Sequence, residues 1–389
     1  MNALTLREPL PSVIDNPESL AAAVAELAAG DGPVALDAER ASGHRYSNRA
    51  YLVQLRRAGT GTQLIDPIEF VDLIDVHDAI GDAEWIVHAA TQDLPCLREL
   101  GMQPTKLFDT ELAGRLLNLP KVGLASLVEH FLDLSMAKEH SAVDWSTRPL
   151  PEDWLNYAAL DVEVLIELRD LIAAELESAG KLHWAQEEFE WLLGFAGPKK
   201  HPEPWRRTSG LHKVRGLRAL GIVRELWLSR DALANELDRA PSKILPDAAI
   251  VEIASTVPKS VSVLRNLPAM RRRIPRAHQD LWFETLQYAL EIPEEELPKP
   301  TTRGDGLPPI RTWAEKNPEA AKRFTALREI VLAVAEEVSV PAENLIAPDT
   351  TRRLAWQPQE DVTEFLRSHE ARPWQIKLLA EKFSLAIFG

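Results

Sequence analysis

Residues 34–40, VALDAER, decide the fold, because a short apolar run that ends in charged residues is typical of a buried strand at its exposed end. Apolar or alternating patterns predict further strands at YLVQLRR (51–57), TQLIDP (62–67) and EWIVHAA (84–90). Helical patterns lie between and after these segments. A long helix is predicted from near Pro151 towards Leu176, with proline and acidic residues in its first turn. These patterns together predict an α/β domain.

Two carboxylates stand at the end of the first predicted strand. Asp37 and Glu39 are two residues apart, so both point to the same face of the strand. Side by side at the edge of a buried strand they repel each other and lose hydration, which is costly without a compensating cation. A hard divalent cation with oxygen ligands is the natural partner.

Further acidic residues follow two other predicted elements. Tyr157 and Asp161 are four residues apart on a helical pattern, so they share one helix face, and Asp93 lies at a predicted helix start. Four carboxylates from three elements predict a site for two Mg²⁺ or Mn²⁺ ions of the kind that cleaves phosphodiesters. Taken singly, each residue has an ordinary alternative: a solvated strand end, a helix cap, a core aromatic or an exposed charge.

The order of the motifs is more specific than any one of them. VALDAER (34–40), HAATQDL (88–94) and NYAALDVEVL (156–165) resemble the three exonuclease motifs of the DEDD superfamily, in the subtype with Tyr in the third motif. The intervening KLFDTELAGRLL (106–117), GLASLVEHFLDL (123–134) and DWSTRPLPEDWLNYAALD (144–161) resemble the bacterial ribonuclease D family. Two C-terminal helical repeats, marked by APSKILPDAAIVEIA (240–254) and VPAENLIAPDTTRRLA (340–355), are similar to HRDC domains.

The resemblance implies a ribonuclease H-like mixed-sheet exonuclease domain followed by two small all-α HRDC-like domains. It implies a 3′→5′ exoribonuclease that releases nucleoside 5′-monophosphates, with Asp37, Glu39, Asp93 and Asp161 as metal ligands. Tyr157 would then orient the attacking water or help to deprotonate it. RNA with a free 3′ end is then the partner, and tRNA precursors are the expected substrates. Ala38 departs from the family, which usually has Thr there, but only the flanking carboxylates need to touch metal.

Two further residues are candidates for substrate binding. His88 lies near the second motif and can contact the scissile region, or it is a satisfied residue at a strand end. Arg148 precedes the catalytic helix and can bind a substrate phosphate, or it forms a structural ion pair with a nearby acid.

The charge is distributed unevenly along the chain. The formal net charge of −15 hides a net of −19 in residues 1–195, which hold 14 Lys+Arg against 33 Asp+Glu. Residues 196–276 hold 17 basic and 7 acidic residues, a net of +10. The basic stretch, with RRRIPR (271–276), Lys199, Lys200, Arg206 and Arg207, can bind a phosphate backbone or form a solvated face.

Past about residue 200 the patterns are purely helical. APSKILPDAAIVEIA and VPAENLIAPDTTRRLA, about 100 residues apart, predict a duplicated helical domain, with two unrelated bundles as the alternative. The predicted domains are 1–195, 210–290 and 310–389, with a Pro-rich linker at 291–309. The absence of a long apolar run and the single cysteine, Cys96, predict a cytoplasmic protein without a membrane segment, and a monomer is favoured.

Two other functions stay open at this point. A DNA 3′→5′ exonuclease would use the same metal chemistry, because only a contact to the 2′-OH separates the two polymers. A non-catalytic RNA-binding scaffold would keep the fold without the chemistry, but the intact set of four carboxylates and Tyr157 argues against it.

Overall fold

A computed structural model gives the fold of the chain and describes residues 2–136, 142–199, 201–271, 273–299 and 306–389. Lys200 and Arg272 of the predicted basic stretch lie outside the described residues, as do residues 300–305 of the predicted linker. Among the described residues, no helix combines the length and hydropathy needed to cross a membrane.

A mixed sheet forms the centre of the N-terminal part. The strands are β1 (Asn2–Ala3), β2 (Val13–Ile14), β3 (Asp31–Arg40), β4 (Ala50–Ala58), β5 (Gly61–Ile65), β6 (Glu84–Val87), β7 (Lys106–Asp109) and β8 (Leu134–Ser135). Within the described residues, the main sheet has the order β2-β5-β4-β3-β6-β7, and β1 pairs with β8. β3 is antiparallel to β4 and parallel to β6. The four predicted strands overlap β3 to β6, and the predicted α/β class is confirmed.

The strand β3 lies in the middle of this sheet. Val34, Ala35 and Leu36 are fully buried, because β4 and β6 pair with the strand and helices cover the sheet. A continuous apolar run is what a strand covered on both faces requires. The buried run fixes the position of the charged residues that follow it.

Helices flank the sheet and carry the rest of the site. They are α1 (Pro17–Ala29), α2 (Ile74–Ile80), α3 (Leu94–Glu99), α4 (Thr110–Leu116), α5 (Leu124–Leu132), α6 (Glu152–Glu163), α7 (Leu165–Ser178) and α8 (Leu182–Leu193). The prediction of one long helix after Pro151 was wrong, because the chain leaves helical geometry at Val164, with φ −120° and ψ 7°. Val162 and Val164 are β-branched, which lowers helix propensity at this point.

Two helical modules follow. The first helical module consists of α9 (Leu217–Glu236), α10 (Pro241–Ile244), α11 (Asp247–Thr256), α12 (Val261–Arg265), α13 (Arg273–Ala277) and α14 (Gln279–Glu291). The second helical module consists of α15 (Trp313–Lys316), α16 (Pro318–Glu337), α17 (Ala342–Leu345), α18 (Pro348–Trp356), α19 (Val362–Ser368) and α20 (Pro373–Phe388). In each, a 20-residue helix precedes a 4-residue helix and a third of 9 or 10 residues. The repeated order favours duplication, which stays a prediction.

The two modules contact the nuclease part differently. The second helical module shares one hydrophobic core with the sheet domain, and the indoles of Trp184 and Trp374 stack with ring centroids 4.9 Å apart. The first helical module has its own core, and Tyr46 from the loop after β3 packs against it. Asp238 of this module accepts the backbone N–H groups of Tyr46 and Ser47, at 3.1 and 2.9 Å. The first module is therefore attached beside the end of β3.

Candidate active site

The end of β3 positions the first two predicted carboxylates. Asp37 lies opposite Gln54 of β4, and Glu39 lies opposite Leu52. Because alternate residues of a strand share a face, both carboxylates leave the sheet on the same side. The sequence prediction for this pair agrees with the register.

Helix α6 brings two more predicted residues to the same place. Ala158 and Ala159 are fully buried, and such small side chains let a helix approach a sheet closely. Carboxylate oxygens of Asp37, Glu39 and Asp161 lie within 4.8 Å of one another. Several oxygens at this spacing match the ligand set of a hard divalent cation.

Asp93 reaches the site from the turn before α3. The sequence analysis did not identify Asp109, the residue whose side chain stabilises this turn. Asp109, at the end of β7, accepts the backbone N–H groups of Ala89 (3.1 Å) and Ala90 (2.9 Å). The same carboxylate caps α4 through the N–H groups of Glu111 and Leu112. The sequence signal was an Asp directly before a helical pattern in KLFDTELAGRLL, which is typical of an N-cap.

One cavity joins these residues. It has a volume of about 310 Å³, and its lining includes Asp37, Glu39, Arg40, His88, Gln92, Asp93, Tyr157 and Asp161. The four predicted carboxylates and Tyr157, which come from distant parts of the chain, therefore lie together. Their roles in binding metal remain predictions.

The carboxylates are held in an environment that opposes their ionisation. Burial, followed by the charges of Asp37, Asp161 and Asp93, raises the pKa of Glu39 to about 10. Burial is also the main cause that raises the pKa values of Asp37, Asp93 and Asp161. Buried like charges at short range need a compensating cation, so the cavity is suited to positive ions with oxygen ligands.

Tyr157 lies beside the carboxylates with its hydroxyl bonded to the Asp161 side chain. Burial and the nearby carboxylates raise the pKa of Tyr157 above its ordinary value, so the phenol keeps its proton at neutral pH. Its ring lies 6.5 Å from the fully buried ring of Trp145, measured between centroids. The arrangement places the phenol hydroxyl in the cavity, next to Asp161.

Arg148, the second candidate for substrate binding, is engaged within the protein, and its contact with a substrate phosphate stays a prediction. Its Nε and Nη2 donate to the two carboxylate oxygens of Asp66, at 2.5 and 2.7 Å. The remaining donors go to the carbonyl oxygens of Tyr51, Trp145 and Thr147. A guanidinium has five N–H donors, and all five are used within the protein. Arg148 therefore forms a structural ion pair, the other interpretation of its position.

His88, the other candidate for substrate binding, lines the cavity. Its Nδ1 lies 2.9 Å from the Oγ1 of Thr110. Burial lowers the pKa of His88 to about 4, so the imidazole is neutral at physiological pH. It can offer a neutral hydrogen bond to a substrate, and substrate contact stays a prediction.

Family models match the chain in three consecutive parts. A model described as 3′-5′ exonuclease matches residues 11–177, and the HRDC domain model matches residues 219–286. A model described as 3′ to 5′ exonuclease C-terminal domain matches residues 306–387. The last match covers the second helical module with a description other than HRDC.

Relatives match over nearly the whole length. A ribonuclease D from Jannaschia sp. (strain CCS1) is 31% identical over 351 residues, covering 87% of this chain and 86% of the relative. The ribonuclease D of Escherichia coli K12 is 27% identical over 358 residues, covering 90% and 91%. The crystal structure of E. coli RNase D, described as an exoribonuclease involved in structured RNA processing, aligns with a TM-score of 0.70 and 25% identity, covering 97% and 98%. A crystal structure of a protein from Bifidobacterium adolescentis aligns over 100% of both chains, with a TM-score of 0.93 and 42% identity.

Proposed function

The chain belongs to the ribonuclease D family and is a 3′→5′ exoribonuclease, and we propose that Asp37, Glu39, Asp93 and Asp161 bind the two divalent metal ions, Mg²⁺ or Mn²⁺, of this reaction. The observation that carries the proposal is the approach of Asp37, Glu39 and Asp161 oxygens to within 4.8 Å in the cavity that Asp93 also lines. An all-oxygen donor set fits hard cations. Such ions supply the positive charge that the buried carboxylates lack and lower the pKa of a bound water.

The reaction needs an oriented water and a held 3′ end. In the proposed step, the water oxygen bonds to phosphorus, the bond from phosphorus to the 3′-oxygen of the preceding nucleotide breaks, and that oxygen takes up a proton. A nucleoside 5′-monophosphate leaves. We propose that the Tyr157 hydroxyl, which is bonded to the Asp161 side chain, orients the attacking water or helps to remove its proton.

We infer that the substrate is RNA with a free 3′ end, tRNA precursors among them. The E. coli relative is described as acting in structured RNA processing, and the basic residues of 196–276 can contact a phosphate backbone. In this proposal the HRDC module and an HRDC-like second module bind the body of the RNA. The proposed domain boundaries are those given in the sequence analysis. A cytoplasmic location and a monomeric state remain predictions from the sequence.

The test is a cleavage assay with an RNA that carries a 5′ label and an unstructured 3′ tail. Purified protein is incubated with Mg²⁺, with Mn²⁺ and with EDTA. Parallel assays use the Asp37→Asn variant and a DNA strand of the same sequence. We expect a ladder that shortens from the 3′ end, needs a divalent ion and is reduced at least about 100-fold in Asp37→Asn, since losing even an outer partner of a metal ligand costs 10–100-fold. Shortening that persists in EDTA would remove the metal proposal.

A further inference from the structure

Arg40 places a guanidinium inside the cavity of carboxylates. It is the last residue of β3, directly after Glu39, and its side chain is 24% exposed. Among the described residues that line this cavity, Arg40 carries the one permanent positive charge, because His88 is neutral. The carboxylates around it attract this cation, but its guanidinium forms only one hydrogen bond with the described residues.

The hydrogen bonds of Arg40 leave most of its donors unused. Its Nη2 donates to the Oε1 of Gln92 at 3.2 Å and lies 3.7 Å from the nearer oxygen of Asp93, which is too far for a hydrogen bond. Its Nε is enclosed and has no acceptor among the described residues. In Arg148, by contrast, all five N–H groups donate to oxygens of the protein. Arg40 is therefore the arginine that is placed and available to bind a ligand.

We propose that Arg40 binds a phosphate oxygen of the RNA in the active-site cavity, an inference that rests on the proposed two-metal function. Two divalent ions would cancel the charges of the four carboxylates and leave the Arg40 guanidinium uncompensated. A phosphodiester brings one negative charge and acceptor oxygens that suit the planar fork of Arg. The alternative is that Arg40 is only a counter-ion for Asp93, with which it forms an ion pair at 3.7 Å without a hydrogen bond, and the experiment below separates the two roles.

A phosphate contact has consequences that distinguish it from a structural role. It is independent of base identity, so its loss lowers turnover equally on all 3′-terminal nucleotides. When the contact is lost, RNA binding also releases one counterion fewer, so the slope of log K against log [salt] becomes shallower by about 0.7 for a single strand. A counter-ion of Asp93 would change metal affinity and leave this slope unchanged.

The experiment compares Arg40→Gln and Arg40→Lys with the wild-type full-length chain on single-stranded RNA at several salt concentrations. For Arg40→Gln we expect kcat/KM to fall about 10- to 100-fold, the size of a hydrogen bond to a charged group, together with the shallower salt slope. Arg40→Lys keeps the charge and should keep the slope while losing part of the rate. Arg169→Gln is the matched control, because Arg169 pairs with Glu84 at the opposite end of β6 and lines a different cavity.

The outcomes distinguish a phosphate contact of Arg40 from a role as counter-ion. An unchanged salt slope in Arg40→Gln, with altered Mn²⁺ affinity in the absence of RNA, would show that Arg40 is a counter-ion only and overturn the inference. Wild-type kinetics in Arg40→Gln would overturn it as well, with thermal melting used to confirm folding of each variant. If the wild-type protein does not shorten RNA at all, the proposed function fails and the inference with it, and that failure is visible without any Arg40 variant.

Discussion

The hydroxyl of Tyr157 is a single-atom test of the proposed mechanism. Tyr157→Phe keeps the ring beside Trp145 and removes only the group that bonds to Asp161. We expect kcat to fall by about 10²- to 10⁴-fold, the range for loss of a positioned proton donor or acceptor, while the Kd for RNA stays within twofold. The expected fall in kcat is checked by single-turnover cleavage, and the unchanged Kd by RNA binding measured on the same preparation. Wild-type kcat in Tyr157→Phe would take the residue out of the mechanism.

The raised carboxyl pKa values predict how stability depends on metal and pH. A buried carboxyl whose pKa is raised in the folded state destabilises the metal-free protein as pH rises from the unfolded-state pKa towards the folded-state pKa, which for Glu39 is about 10. Divalent ions must displace the remaining protons, so they bind more tightly over the same range. The Tm difference between Mg²⁺ and EDTA samples should therefore widen from about pH 6 to pH 9, by at least about 2 °C, the effect of about 1 kcal/mol.

Asp161→Asn serves as the control for this linkage. It removes one of the three carboxylates that lie within 4.8 Å, so the Mg²⁺-dependent gain in Tm should be nearly lost at every pH. In EDTA at high pH, the variant should melt at or above the wild-type temperature, because a buried charge has gone. A gain in Tm that is the same at all pH values would contradict the prediction.

Single residues also show where sequence reasoning ends. Asp37, Glu39, Asp93, Tyr157 and Asp161 could be selected because their spacing and order are local properties, and the structure places all five in one cavity. Arg148 could not be judged, since its partner Asp66 is 82 residues away and only folding brings the two together. The number of donors that an arginine has left is a property of the folded state.

At the scale of elements, the turn between β6 and α3 depends on Asp109. Asp109→Ala removes the cap of α4 and leaves the N–H groups of Ala89 and Ala90 without their acceptor. We expect a loss of about 2–4 kcal/mol in the free energy of unfolding, from one lost cap and buried donors left unsatisfied. Because Asp93 follows on the same turn, kcat should also fall at least about 10-fold, with a higher Mg²⁺ concentration at half-maximal rate.

A substitution at a second N-cap separates the effect of Asp109→Ala on stability from its effect on kcat. Asp361 caps α19 in the second helical module by accepting the N–H of Glu364 at 2.8 Å. Asp361→Ala should cost about 1 kcal/mol of stability, as a lost cap does, and leave kcat and the Mg²⁺ requirement unchanged. Equal effects of the two substitutions on kcat would mean that Asp109 acts through general stability alone.

Element positions followed from hydrophobic patterns wherever packing agreed with local propensity. The apolar run at Val34–Leu36 predicted a buried strand, and the four predicted strands overlap β3 to β6. The break at Val164 was not predicted, because the helical pattern continues through it. In the folded chain α6 packs against β3, β4 and β5, and α7 packs against β3 and β6, so the break lies where the chain changes its position on the sheet.

For the whole molecule, the two helical modules are not equivalent. The sequence predicted two similar modules in series, and the repeated helix lengths agree. The second module nevertheless shares its core with the nuclease part: Glu188 of α8 accepts the indole N–H of Trp374 at 3.0 Å, and Lys181 donates to the carbonyl oxygens of Leu116 and Ser339, each at 2.8 Å. Such contacts between distant segments leave no periodic signal. Removing the second module would therefore expose the core of the nuclease domain.

The first helical module has a core separate from the one that the sheet shares with the second module, and Tyr46 is one of the residues that attach it to the nuclease part. The Tyr46 ring packs against the core of the module, and its hydroxyl donates to Asp231 at 3.1 Å. Tyr46→Ala should loosen the module and raise KM about 3- to 10-fold on an RNA with a stable stem and a short 3′ tail, since about 0.7–1.4 kcal/mol of guidance is lost. Rates on an unstructured RNA should stay within twofold.

Tyr46→Phe is the matched control, because it keeps the ring and loses only the bond to Asp231. It should behave nearly as wild type on both RNAs, and small-angle scattering should show an increased radius of gyration for Tyr46→Ala alone. An equal loss on both RNAs would mean that the loop after β3 acts on the active site itself, because Arg40 and Glu39 immediately precede it. Unchanged kinetics together with an increased radius would mean that docking of the first module does not guide structured RNA.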